Sequence, residues 1–153
     1  MSLIEDLLSG KTFAESLGIT CDMGRAVSGL AVRELAAGRL DVAHDLLEGL
    51  VLTNPHDAAG WCLLALVERR RGRAFAAAYC AEVAARLAPG DPQVKLVRAE
   101  VRLATPELRD EARAALRALT TTEGQVGARA RALLTALGEA VRPERASAGG
   151  PRA

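Results

Sequence analysis

A 34-residue echo runs through the middle of the chain: Gly38 returns as Gly72, Ala43 as Ala77 and Pro55 as Pro89. Three residue types kept at one spacing mark a structural unit that is repeated. Units of this length are helix-turn-helix pairs, which cannot bury an apolar face alone and must stack on neighbours. A stack of such pairs offers a groove, so binding is expected rather than catalysis.

Composition agrees with an all-α chain. Half of the 153 residues are apolar and 25% are charged, enough for one domain with a core. Aromatics are only 3% and the chain is rich in Leu, Ala, Arg and Glu, which favour helix over strand. The net charge of +1 gives no global reason to bind nucleic acid or a membrane. The acids Glu5 and Asp6 stand where a secretory signal needs bases, and no apolar run approaches the length of a spanning helix, so a cytoplasmic protein without membrane insertion is expected.

Helix punctuation divides the repeat region into short antiparallel helices. Asp91-Pro92 and Thr105-Pro106 place a capping residue before a proline at the first helical position. Gly38 and Gly72 fall where a left-handed residue closes a helix, and Thr12-x-x-Glu15 and Thr122-x-x-Gln125 match the capping box. The pattern predicts helices near 2–9 and 12–17, pairs at 22–37 with 41–53, 57–71 with 74–87 and 92–104 with 106–119, and a last helix over 123–141. The expected organisation is an N-terminal helical segment at 1–21, a repeat domain with its capping helix at 22–141, and a disordered tail at 142–153, which has nothing to bury. The stripe Val126, Ala130, Leu133, Leu134, Leu137 and Val141 suits the cap, and Leu3, Ile4, Leu7 and Leu8 form a second stripe that can serve a weak homodimer.

The second unit carries the tetratricopeptide-repeat signature: Trp61-x-x-Leu64-Ala65 fits W-x-x-L-G with Ala for Gly, and Ala77 and Pro89 hold the small-residue and terminal-proline positions. Trp61 is expected to fill the space between its own pair and the preceding one. The first unit has Val27 where Trp61 stands, and the third carries one extra residue in its turn. The order of parts from about Gly10 to Leu137 resembles the class II chaperones of bacterial type III secretion, the LcrH/SycD kind. The resemblance is carried by the leader Gly10-Lys11-Thr12-Phe13-Ala14-Glu15-Ser16-Leu17-Gly18-Ile19-Thr20, by Leu35 to His44 and by Arg98 to Leu103. It implies a three-pair superhelix acting as a cytosolic, non-enzymatic holdase for hydrophobic translocator proteins, cradling an extended Pro- and Leu-containing client segment. The alternative is a generic repeat scaffold joining proteins.

The first helix of each pair faces the concave side of such a stack. On the helix of Trp61, Leu64 and Ala65, the stripe turned away from the core is Ala59, Cys62, Leu66 and Arg69. One repeat earlier it becomes Arg25, Ser28, Val32 and Leu35, and one later Gln93, Leu96, Glu100 and Leu103. These twelve are the expected peptide-binding groove, apolar with a few charges.

No cofactor or metal is expected. His44 and His56 lie twelve apart without partners at ligand spacing and read as surface residues. Cys21, Cys62 and Cys80 form no C-x-x-C pair and read as reduced, mostly buried thiols. No Gly-x-Ser-x-Gly or phosphate loop is present, so no catalytic residue is expected. The basic run Arg69-Arg70-Arg71-Gly72-Arg73 reads as a solvated helix end, with contact to an acidic flank of a client as the alternative.

Overall fold

A computed structural model describes residues 2–140, and among them there are helices and no strand. Two short N-terminal helices, α1 (Leu3–Leu8) and α2 (Phe13–Ser16), precede α3 (Cys21–Ala36), α4 (Leu40–Thr53), α5 (Ala58–Arg70), α6 (Ala74–Leu87), α7 (Pro92–Arg102), α8 (Arg109–Leu119) and α9 (Gln125–Ala136). A 3-10 turn, Pro106–Leu108, leads into α8. None of these helices is long and apolar enough to cross a membrane. The expected tail at 142–153 and Val141 lie outside the described residues.

Local chemistry sets the helix ends. Gly38 and Gly72 take φ of 77° and 76°, a conformation open to glycine at little cost, and turn the chain between the helices of the first and second pairs. Asp91 accepts from the Gln93 N–H at 2.7 Å, and Thr12 with Glu15 closes a capping box. Ser2, Thr20 and Asp57 cap α1, α3 and α5 in the same way, though the sequence pattern did not single them out. Two expected caps are corrected. Thr105 makes no capping bond, because the chain passes through the 3-10 turn first. Thr122 is displaced by Gly124, whose φ of 77° starts α9 later than expected, and Gly138 at φ 80° ends it before Val141.

Pairing is between sequence neighbours: α3 on α4, α5 on α6, α7 on α8. The first helices also touch one another in order, α3 to α5 to α7 to α9, and so form an inner row. Alanines at the crossings, Ala43, Ala65, Ala77 and Ala84, are wholly buried and let the backbones approach. One core cluster runs from α3 to α7 around Leu47, Leu50, Val67 and Val97, and a second from α7 to α9 around Leu116, Leu119 and Leu134. Each wholly buried leucine contributes about 1.5–3 kcal/mol.

Trp61 is only half-buried, a correction to the core-filling role expected of it. Its ring meets Tyr79 of its own pair edge-on at 6.2 Å, and Nε1 donates to the Pro55 carbonyl in the turn from the preceding pair. The polar tip is held at a turn, which keeps the indole at the edge of the core.

Arginine-carboxylate contacts tie each layer to the next. Arg98 and Arg102 of α7 reach Glu82 of α6 at 2.8 and 2.7 Å, and Arg117 of α8 reaches Glu139 at 2.9 Å. Burial alone would raise the Glu82 carboxyl, but hydrogen bonds from Arg98 and Arg102 outweigh it and hold the pKa below the usual range. Arg71 binds the buried Glu68 at 2.7 Å and Asp41 of α4 at 3.1 Å, and His44 Nε2 lies 3.4 Å from Glu68. The basic run is therefore an inter-helix tie rather than a solvated end, and His44 is part of it rather than a free surface residue. Cys62 and Cys80 are buried as expected, whereas Cys21 is exposed at the start of α3.

Candidate functional site

The inner row of first helices builds a cup of about 340 Å³ between α3, α5, α7 and α9. Its apolar part is Leu35, Leu66, Leu96 and Val97, one or two residues from each of α3, α5 and α7. Gln93, Gln125, Arg69, Arg70, Glu100 and Arg129 complete the lining. Helical period places Leu66 one turn from Arg69 and Arg70, and Leu96 one turn from Glu100 and Gln93, so apolar and polar groups share one face.

Glu100 is the electrostatic centre of the cup. Only 6% exposed, it accepts from Arg69 of α5 and Arg129 of α9, each at 2.9 Å, and so joins three helices through one carboxylate. The hydrogen bond to Glu100, with the attraction of its charge, raises the Arg129 guanidinium further above its already high pKa. Arg70 donates from Nη1 to the Leu35 carbonyl at 3.2 Å, a second bond to an acceptor that also takes the Gly38 N–H. The Nε–H of Arg69 is buried and finds no acceptor among the described residues.

A second, larger cup of about 660 Å³ opens at the other end of α3 and α5. It lies between the N-terminal segment, through Ala14, Glu15 and Ile19, and Leu50, Ala59 and Leu63 of α4 and α5. The capping box that fixes α2 holds the Glu15 carboxyl below its usual range through the Thr12 backbone and side-chain bonds.

Of the twelve expected groove residues, Leu35, Leu66, Arg69, Gln93, Leu96 and Glu100 meet in the first cup, and Arg25, Ser28 and Ala59 line the second. Val32 is 45% exposed and lines neither. Cys62 is 4% exposed and lies in the core, because α5 is flanked by helices on both sides and its free face is narrower than a full stripe. Its thiol is pushed up to about 12 by burial and by the carboxylates of Asp91 and Asp57. Leu103 follows the last turn of α7 and packs against the second core cluster.

The expected set lacked Arg70, Val97, Gln125 and Arg129. The repeat signals the helix that carries the last two, though not the two residues themselves. Shifting Gln93 and Leu96 forward by 34 gives Gly127 and Ala130, small residues on α9, which takes the place of the first helix of a fourth pair. A cap in that place faces the groove as well as the core.

No protein-family model and no curated protein matches the sequence. Solved structures do. The Yersinia enterocolitica type III secretion translocator chaperone SycD is similar with a TM-score of 0.70 at 20% identity, over 82% of this chain and 98% of that one. A type III secretion complex from Aeromonas hydrophila matches at a TM-score of 0.71 and 20% identity, over 89% and 94%. PcrH of Pseudomonas aeruginosa, solved with the chaperone binding region of PopD, matches at 0.62 and 24% identity, over 79% and 95%. At these identities the shared property is the fold, a tetratricopeptide-repeat superhelix with N-terminal helices and a closing helix.

Proposed function

We propose that this chain is a secretion chaperone of the class II type III kind, holding an extended segment of a hydrophobic translocator-like client on its concave face. The reading rests most on one observation: a cup on the inner row floored by the half-buried Leu66, with the buried Leu35, Leu96 and Val97 behind it, in a fold shared over almost the whole length of SycD. SycD has been solved with a peptide of the translocator YopD, and PcrH with the chaperone binding region of PopD. Leucine-sized side chains fit the floor, and the glutamine amides Gln93 and Gln125 offer donors and acceptors to an extended backbone. The protein would work in the cytoplasm, without chemistry and without a cofactor, keeping its client soluble until export. Residues 22–141 would form the repeat body of the holding unit, with the helical segment 1–21 walling its second cup and exposed Leu3, Ile4 and Leu8 serving a weak homodimer.

Photo-crosslinking tests the place of the client. Benzoylphenylalanine at position 66 should capture a co-expressed translocator protein from the producing cell. At position 75, where Phe75 is 88% exposed on α6, it should not. Equal capture at both sites, or capture at 75 alone, would remove the groove from the account.

A further inference from the structure

We infer that the cup between α5, α7 and α9 selects client segments carrying a carboxylate beside the apolar anchor, with the acid bound by Arg70 and the Arg69–Arg129 pair. The inference rests on the peptide-groove reading above and adds to it the chemistry of the preferred segment.

Charge in the cup is unbalanced. Arg69, Arg70 and Arg129 face a single carboxylate, Glu100, which is already shared between Arg69 and Arg129. Arg70 has no carboxylate partner among the described residues, its one bond being to the Leu35 carbonyl. Arg69 adds a buried Nε–H with no acceptor among those residues. Two positive charges therefore remain at the solvent-exposed rim of an apolar floor, where a guanidinium binds a carboxylate through a charge-assisted hydrogen bond that salt screens. An extended chain advances about 3.3 Å per residue, so a leucine on Leu66 and Leu96 leaves a neighbouring side chain within reach of the guanidinium groups.

The second cup has the opposite balance, which fixes the end at which the acid sits. Its lining holds Glu15 and Asp57 against Arg25 and His56, and Arg25 is already paired with Asp22. An acidic flank gains nothing there. The groove therefore orients its client, acid toward α9 and the uncharged or basic flank toward α2.

Selection from a random dodecapeptide library displayed on phage tests this with no client assumed. The expected result is enrichment of leucine-containing peptides with Asp or Glu on one side of the leucine. Replacing that acid by its amide in a synthetic copy should weaken binding about 3- to 10-fold at low salt, the difference closing as salt is raised. In Arg70→Gln the acid-to-amide ratio should collapse toward one, with circular dichroism showing the fold intact. Enrichment of leucine without acid, an amide copy that binds equally, or a ratio unchanged in Arg70→Gln would overturn the acidic preference and leave the groove standing. No enriched peptide at all would overturn both.

Discussion

Ala65→Asp and Leu66→Asp put the same carboxylate at adjacent positions of α5, about 100° apart around the helix. Ala65 is wholly buried in the first core cluster. An aspartate there must overpack a tight crossing and either bury a charge or stay protonated, which costs more than about 4 kcal/mol. Against the usual reserve of about 5–15 kcal/mol, that removes most of the stability. Leu66 is half-buried at the edge of the same cluster, so its replacement forfeits about half the burial energy of a leucine, near 1 kcal/mol. Arg69 and Arg70, three and four residues on, return about 0.3–0.5 kcal/mol through ion pairing along the helix. Urea unfolding followed at 222 nm should show a small midpoint shift for Leu66→Asp, with a thermal shift of about 2–4 °C. Ala65→Asp should be largely unfolded at the start. Equal destabilisation by the two changes would refute the placement of core and groove on this helix.

Gly127→Ala would drive its Cβ into the Thr122 carbonyl oxygen, so it should unseat α9 and lower the melting temperature by many degrees, whereas Gly49→Ala, with open space around it on α4, should stabilise by about 0.5–1 kcal/mol in the same melt. Deleting residues 1–10 should leave the helix signal of the repeats nearly unchanged while altering any dimer seen by sedimentation, since the main packing of α1 is on α2. In a thiol-reactivity assay near pH 8, Cys21 should react at once and Cys62 and Cys80 only on unfolding. Burial raises the two buried thiols from 9.0 to about 12 and about 11, so their stabilising effect is complete below pH 9. It is lost as pH climbs from 9 toward 12, because the unfolded chain releases those protons first. Urea midpoints should fall over that window, less steeply in Cys80→Ala.

The repeat was legible because its carriers, Gly38, Gly72, Ala43 and Ala77, are dictated by local backbone geometry and helix crossings. Half of the expected groove converged for the same reason: Leu35, Leu66 and Leu96 follow from register along parallel first helices. Long-range electrostatics was not legible. Glu100 draws its partners from Arg69 and Arg129, roughly one repeat away on either side, and a basic run next to a helix end gives no hint of which arginines turn inward. Cys62 was misplaced because burial depends on helices flanking α5 on both sides, which a one-helix stripe ignores. The late start and early end of α9 turn on Gly124 and Gly138, glycines at positive φ that an apolar stripe overrides when read alone.

The central claim is that the concave face captures an extended apolar client segment. Affinity purification from the producing cell, with the native chain and Leu66→Asp in parallel, addresses it most directly. The account predicts that the native chain brings down an exported protein with membrane-inserting stretches and that Leu66→Asp, folded by circular dichroism, loses it, because a carboxylate that a docking leucine must desolvate stands in place of the apolar floor. Recovery of the same partner by both forms, or of resident cytosolic proteins alone, would contradict it.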